Sequence, residues 1–277
     1  TGATLRDTHL AGTLQWADLR GLDLRGASFD RVQALPLSGF AGTNLAGARF
    51  GGSRMRPGID FTDALLTGAD FTGATLAGDL DLSNHDLTCA GLGFQSAANE
   101  RNLSQLRLVN SRLVGVWFNR SLLGERDWTG RDLSYATLDT CDVSAVDLAG
   151  ATLRYASLRS LDLRGRDFSD MDLTSADFTH SQLTGVTLVD SAVQGTNFQD
   201  TGLNSQDFRD RDLSCANLRG TDIATIQLRG ANLANADLTG LDLSGRDFSD
   251  MVLSNAMMTG ADLTGTDLHG ADLRGVH

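Results

Sequence analysis

The ten residues from Ala231 to Gly240, ANLANADLTG, contain the pattern that decides the fold. They form two units of five, each with a small residue, an Asp or Asn, and a Leu followed by two further residues. With the same spacing, every fifth position from Leu103 to Leu273 is Leu, Phe, Val, Ile, Met or Trp, 35 positions in all. A period of five fits neither an amphipathic helix nor simple strand alternation, and it indicates a repeat architecture.

Each five-residue unit, or pentad, predicts one short side and one corner of a coil. The residue two before the apolar centre (position i−2) is often small, as at Ala136, Ala156 and Ala176. Positions i−2 and i share a face of an extended segment, so both are expected to point inward. The other positions are mostly Asp, Asn, Ser, Thr, Arg and Gly, which favour outward display and a turn.

Longer periods predict the number of pentads in each coil. Related triplets, Arg or Gln followed by Asp and an aromatic residue, recur every 40 residues at 126–128, 166–168, 206–208 and 246–248. In the first half the register slips, and apolar centres 21 residues apart include Leu19, Phe40, Phe61, Leu82 and Leu103. We therefore predict one domain over 1–277, with coils of about 21 residues and corner insertions in 1–102 and strict 20-residue coils in 103–277, about 13–14 coils in total.

The pentads resemble the motif A(D/N)Lxx of the pentapeptide-repeat proteins. Close matches are Ala17–Gly21 (ADLRG), Ala69–Gly73 (ADFTG) and Ala261–Gly265 (ADLTG), and the resemblance covers essentially the whole chain. It implies an all-β fold, a right-handed quadrilateral parallel β-helix, in which the stacked coils form a pentapeptide-repeat solenoid.

Two groups of residues depart from the pattern. Arg126, Arg166, Arg211 and Arg246 occupy i−2 positions; we expect their stems to pack at corners and their heads to pair with neighbouring Asp, because a buried unpaired guanidinium is costly. The irregular segments 30–39, 51–60, 77–81 and 93–102 are expected to project as corner loops, either as ordinary loops or as recognition elements. The candidate contacts in these segments are Arg31, Arg54, Arg56 and Arg101.

Composition and motifs argue against several functions. The formal charge is −12, with 35 acidic residues and 23 basic ones, all of them Arg, so direct binding of nucleic acid is not expected. No apolar run is long enough to span a membrane, and the chain shows no classical signal peptide. The cysteines and histidines match no metal-ligand spacing, and no catalytic motif is present. We predict no enzyme activity, no catalytic residues, no metal site and no cofactor.

The residue before the apolar centre forms an acidic column in the second half. Stacked at the ~4.8 Å strand spacing, its members would make a regular stripe, which is the candidate protein-binding site. A solubilising and turn-forming role explains the same residues without a ligand. The column is interrupted by Thr187 and Gln227. Its acidic members are Asp127, Asp147, Asp167, Asp207, Asp247 and Asp267.

We predict a non-catalytic protein-interaction rod, and two settings remain open. The absence of Lys, the residue that accepts ubiquitin, favours the binding or scaffold region of a bacterial secreted effector-like protein that meets a host protein in the host cytosol; a high genomic GC content explains the same bias. The family resemblance implies the alternative, a DNA mimic in the bacterial cytoplasm that binds DNA gyrase or topoisomerase IV and protects it from quinolones or peptide toxins.

The repeat runs to both ends of the chain, from Leu5 to Leu273. Solenoid ends need a cover for their last apolar layer. We therefore expect either excision from a longer protein or end-to-end self-association.

Overall fold

The chain folds as stacked coils built mostly of isolated parallel bridges. The structure is a computed structural model that describes residues 4–33, 35–36, 38–77, 79–93 and 101–277, with Arg101 described by its backbone alone. Within these ranges there is no helix, and the strands longer than one residue are β1 (Arg101–Asn102), β2 (Ser121–Leu122), β3 (Arg126–Asp127) and β4 (Val146–Asp147). β1 pairs with β2 in parallel.

A single pentad shows how sequence becomes a side and a corner. The Leu153 carbonyl accepts the N–H of Ala156 at 3.0 Å and closes a turn. Tyr155, inside this turn, has a φ of 55°, a left-handed conformation that explains why Gly, Asn and Asp are frequent at corners. Ala156 and Leu158 are completely buried. Asp177 on the next coil donates its backbone N–H to the Ala156 carbonyl at 2.9 Å. The Asp177 carbonyl accepts the N–H of Leu158 at 2.8 Å.

The chain divides into two compact units. Unit 1 comprises Thr1–Arg126 and Ala136–Ala145, and unit 2 comprises Asp127–Tyr135 and Val146–His277. Bridged residues in unit 2 are 20 positions apart, which is four pentads, so each coil has four sides. The single domain over 1–277 stays a prediction. One side of unit 2 has an unbroken ladder through Ser157, Asp177, Asn197, Asn217, Asp237 and Met257.

The register of unit 1 agrees with the predicted 21 residues over several coils but not throughout. Asp23 bridges Asn44, 21 residues later. The predicted step from Leu82 to Leu103 is wrong, because Asp81 bridges Arg107, 26 residues later, and Leu82 donates its N–H to the Arg107 carbonyl at 2.9 Å. The five additional residues equal one pentad and leave the phase of the apolar positions unchanged, so the periodicity could not reveal them.

Apolar centres fill the interior of each unit. In unit 1 the rings of Phe29, Phe50 and Phe71 stack with centroids 4.9 Å apart at each step. In unit 2, Phe178 and Phe198 stack at 5.9 Å. Each buried Leu or Phe contributes about 1.5–3 kcal/mol, so the columns of centres supply the main stabilisation. The predicted all-β, quadrilateral parallel β-helix is confirmed.

Candidate functional site

The predicted acidic column lies on one side of unit 2, and all six of its Asp residues are exposed. The Asp127 Oδ1 accepts the N–H of Thr129 at 3.0 Å, and the Asp167 Oδ1 accepts that of Ser169 at 2.9 Å. The other four carboxylates make the same bond to the residue two positions later. One oxygen of each carboxylate therefore closes a turn. The column is both a structural element and a row of charge.

A second acidic column, which the pentad pattern did not predict, lies at the neighbouring corner. Its members have left-handed φ angles between 55° and 59° and are exposed. Asp adopts this conformation more readily than most residues other than Gly and Asn. The signal was present in the sequence as Asp three residues after several members of the first column. The corner column consists of Asp170, Asp190, Asp210 and Asp250. We name the two columns together the acidic ridge.

Hydrogen bonds lower the pKa of four carboxylates of the ridge. The hydrogen bonds from Thr129, Ser169 and Ser249 lower the pKa of Asp127, Asp167 and Asp247 below the usual value. Stronger still, the side chain of Arg209 lowers the pKa of Asp207 to about 2. A carboxylate with a lowered pKa is fully ionised at neutral pH and is a poor general acid. These residues are suited to presenting negative charge.

Two arginines neutralise one part of the ridge. Arg209 lies 2.6 Å from Asp207, and Arg229 lies 3.9 Å from Asp247. Among the described residues, no Arg or His forms an ion pair with Asp127, Asp147 or Asp167. Arg131 nevertheless acts electrostatically on Asp127, and Arg166 on Asp147, so positive charge also offsets part of the field at these coils.

Large i−2 side chains lie beneath the ridge. Arg246 Nη1 donates to the Ile226 carbonyl at 2.9 Å, and Gln206 Nε2 donates to the Val186 carbonyl at 2.9 Å, in each case 20 residues earlier. Arg166 makes the same bond to Val146 at 2.7 Å. Burial lowers the pKa of the Arg166 and Arg246 guanidinium groups. Each of these side chains therefore donates a hydrogen bond to a carbonyl of the preceding coil.

The β-ladder on this side of unit 2 is interrupted at alternate coils. Bridges join Asp207 to Gln227 and Asp247 to Asp267, and among the described residues none joins Gln227 to Asp247. At such a step a buried carbonyl lacks a backbone donor, and the side chain supplies one. The predicted pairing of these arginine heads with Asp is therefore wrong for Arg246. It is also wrong for Arg211, which donates to the Leu188 carbonyl at 2.6 Å.

Smaller interior polar residues follow a related rule that the sequence did not reveal. In unit 2, Thr196 Oγ1 donates to the Leu173 carbonyl at 2.9 Å, 23 residues earlier. In unit 1, Thr43 Oγ1 donates to the Leu19 carbonyl at 3.0 Å, 24 residues earlier. Each offset is one coil plus three residues. The acceptor is an apolar centre, whose carbonyl uses a second lone pair for this bond. These hydroxyls are structural.

The predicted corner-loop arginines lie in unit 1. Arg31 and Arg54 are exposed and Arg56 is half-buried. Arg54 donates its N–H to the Val32 carbonyl at 3.2 Å, which places it one coil above the residue that follows Arg31. The side chain of Arg101 and residues 34, 37, 78 and 94–100 of the predicted loops lie outside the described residues.

Other reactive groups do not form a cluster. In the part of the chain that the structure describes, no three His, Cys, Asp or Glu side chains are grouped as metal ligands. The same residues include no helix long and apolar enough to cross a membrane. Cys89 and Cys215 are exposed thiols, whereas burial raises the pKa of the Cys141 thiol to about 12. A thiol with so high a pKa is a poor nucleophile.

Four-sided coils of pentads with a charged outer side define a β-helical repeat protein. The sequence matches the family described as Pentapeptide repeats in eight copies, over more than half of the chain. The protein belongs to the pentapeptide-repeat family. The matched ranges are residues 57–78, 132–170, 156–190, 167–200, 212–250 and 242–275.

Comparison with solved structures finds pentapeptide-repeat proteins from several sources. A trypsin-treated form of QnrB1, a plasmid-mediated fluoroquinolone resistance protein, is 23% identical over 64% of this chain and 85% of that chain, with a TM-score of 0.47. HetL, a pentapeptide repeat protein involved in heterocyst differentiation regulation in the cyanobacterium Nostoc sp., is 22% identical over 99% and 88%, with a TM-score of 0.20. A pentapeptide repeat protein of the Arabidopsis thaliana thylakoid lumen is 30% identical over 41% and 66%, with a TM-score of 0.16. Comparison with curated proteins gives no match.

Proposed function

We propose that this protein is a non-catalytic protein-interaction scaffold whose acidic ridge binds a basic surface of a partner protein. The observation that carries the proposal is the exposed row of carboxylates, each fixed by a turn hydrogen bond and several with a lowered pKa. Fixed charges of one sign attract a complementary surface over a long range and orient it. The scaffold contributes rigidity, because each carboxylate is attached to a stacked coil.

A bacterial secreted effector-like protein is the first setting that we propose. The chain has 23 basic residues and no Lys, so it offers no lysine side chain for ubiquitin attachment. A protein of this composition would persist in a eukaryotic cytosol. In this setting the ridge would bind a basic region of a host protein.

The alternative setting is mimicry of DNA toward DNA gyrase or topoisomerase IV. Its support is the repetition of the ridge carboxylates by coil, at a rise of ~4.8 Å, which can present a phosphate-like field to a DNA-binding groove. The gaps at Thr187 and Gln227 and the ion pairs of Arg209 and Arg229 reduce the regularity of that field.

Substitutions that neutralise carboxylates test the charge of the ridge and keep the hydrogen bonds that close its turns. Asn keeps the Oδ1 acceptor, so the triple variant Asp127→Asn, Asp147→Asn, Asp167→Asn should fold normally and lose three charges. A matched control has the same changes at another side of unit 2, where the carboxylates also bond to the N–H two residues later. The control positions are Asp222, Asp242 and Asp262.

Two assays use these variants. Binding of a fluorescent decalysine peptide, measured by anisotropy at low and moderate salt, should weaken several-fold in the ridge variant and little in the control. Equal weakening in both would show simple attraction by net charge and would exclude a specific role for the ridge.

A gyrase supercoiling assay with and without a quinolone separates the two settings. If micromolar protein neither inhibits gyrase nor protects it from the quinolone, the DNA-mimic alternative is eliminated.

A further inference from the structure

We infer that Arg31, Arg54 and Arg56 of unit 1 form a binding surface for an extended acidic polypeptide segment. We name these three residues the arginine corner. A Cβ placed on Gly52 would lie 3.4 Å from Arg31 Cγ, so the Arg31 stem packs under a residue only two positions before Arg54. Arg54 and Arg56 alternate with the buried residues Ser53 and Met55, so both point outward from one extended segment.

The positive charge of the arginine corner is not neutralised within the described residues. The ion pairs of unit 1 use other arginines, and no described carboxylate pairs with Arg31, Arg54 or Arg56. The neighbouring acids are occupied elsewhere. Asp30 accepts the Gly51 N–H at 2.7 Å and pairs with Arg49 at 3.4 Å. Asp79 accepts the Gly58 N–H at 3.0 Å. Three adjacent cations therefore remain available on a chain with a net charge of −12.

Arg31 occupies a corner where the fold does not need a side chain. Its φ of 61° is the usual corner conformation of this fold and is shared by other long side chains, including Tyr135 and Tyr155. Gly52 and Gly73 occupy the equivalent corner on the next two coils, with φ of +65° and +75°. Gly would therefore fit position 31 without strain, and the fold does not require an Arg there.

The shape of the surface favours a polypeptide over a small anion. A cleft of about 860 Å³ beside Arg31 is lined by His9, by Asp30 and by glycines, including Gly52 and Gly73, whereas Arg54 and Arg56 do not line it. The Asp30 carboxylate in this cleft is held by the Gly51 N–H and by Arg49. The absence of side chains at these glycines leaves room for a main chain to approach. Residues i and i+2 of an extended segment lie about 7 Å apart, so Arg54 and Arg56 match the spacing of alternate acidic side chains in an extended partner.

Binding of an acidic peptide to the full chain tests this proposal. The probe is a fluorescent peptide of five Glu-Ser repeats, followed by anisotropy at low salt. The variant Arg31→Gly, Arg54→Gln, Arg56→Gln should weaken binding about ten-fold, as expected for the loss of three exposed ion pairs. The matched control replaces three ion-paired arginines of unit 1 by Gln and should change affinity by less than about two-fold. The control positions are Arg20, Arg25 and Arg107, whose ion-pair partners do not include Asp30.

Three results would overturn the proposal. Equal weakening in both triple variants would mean that only net charge matters. Displacement of the peptide by submillimolar inorganic phosphate would mean a small-anion site. Unchanged amide NMR shifts of Gly52 and Gly73 in the wild-type chain upon peptide addition would place binding elsewhere. Thermal unfolding verifies that the variants are folded, and Arg31→Gly alone should raise the melting temperature because it removes the backbone strain.

Discussion

Substitution of Arg246 tests how interior side chains support the ridge. Its Nη1 donates to the Ile226 carbonyl at 2.9 Å, and Nη2 donates to the Ile223 carbonyl. Ile223 also accepts the N–H of Ile226 at 2.9 Å, so it keeps a partner when Arg246 is replaced. Among the described residues, the Ile226 carbonyl has no backbone donor. Its satisfaction therefore depends on residue 246.

The chain itself contains the conservative replacement. Gln206 occupies the equivalent position two coils earlier and donates to the Val186 carbonyl at 2.9 Å. We expect Arg246→Gln to keep this bond and to cost less than about 1 kcal/mol. Arg246→Met has similar length but no donor, and a buried carbonyl without a partner costs about 1–3 kcal/mol. Since Met also removes the desolvation penalty of the guanidinium, the lower half of that range is expected.

Urea unfolding of the full chain at neutral pH measures the difference between these variants. The midpoint should fall more for Arg246→Met than for Arg246→Gln, with an unchanged slope for both. Equal destabilisation by Gln and Met would refute the reasoning, because the hydrogen bond to Ile226 would then not be the source of the effect. A more stable Met variant would show that burial of the cation outweighs its bonds.

Three further measurements address the turns, the thiols and the carboxylates. Gly39→Ala should destabilise more than Gly240→Ala, since both have positive φ but only at Gly39 would a Cβ meet backbone, 2.5 Å from the Asp60 carbonyl oxygen; equal midpoints in urea would contradict the steric argument. Ellman's reagent at pH 8 should modify two thiols in the native chain and three in urea, because burial raises the pKa of Cys141 to about 12; rapid modification of all three without urea would disprove its protection. The melting temperature should fall as the pH is lowered from 5 to 2. Carboxylates such as Asp207, whose pKa is about 2 in the folded chain and about 4 in the unfolded chain, stabilise the fold above pH 4 and lose that contribution as they are protonated. A constant melting temperature over this range would contradict the coupling of protonation to unfolding.

The sequence predicted whatever depends on position within one pentad. The buried centres and the outward Asp follow from the period of five, and the four-sided coil follows from the longer periods of 21 and 40 residues. The six Asp of the acidic column are exposed on one side of unit 2, and their role in binding stays a prediction. The destination of the Arg246 head was not predictable, because the unpaired carbonyl of Ile226 arises from an interruption of the ladder one coil away. The coil from Asp81 to Arg107 was also hidden, since an insertion of one pentad length leaves the periodicity intact.

Turn chemistry does not explain why the ridge is acidic. At the position before the apolar centre, Asn closes the same turn as Asp: Asn197 and Asn217 accept the N–H two residues later at 3.0 Å, as Asp127 does. These Asn residues lie on another side of unit 2. The first column of the ridge, positions 127 to 267 at steps of 20, has Asp at six of its eight positions and no Asn. Since the fold accepts either residue, turn chemistry alone does not require Asp on this side. The Asp-to-Asn substitutions therefore separate the charge of the ridge from its contribution to the fold.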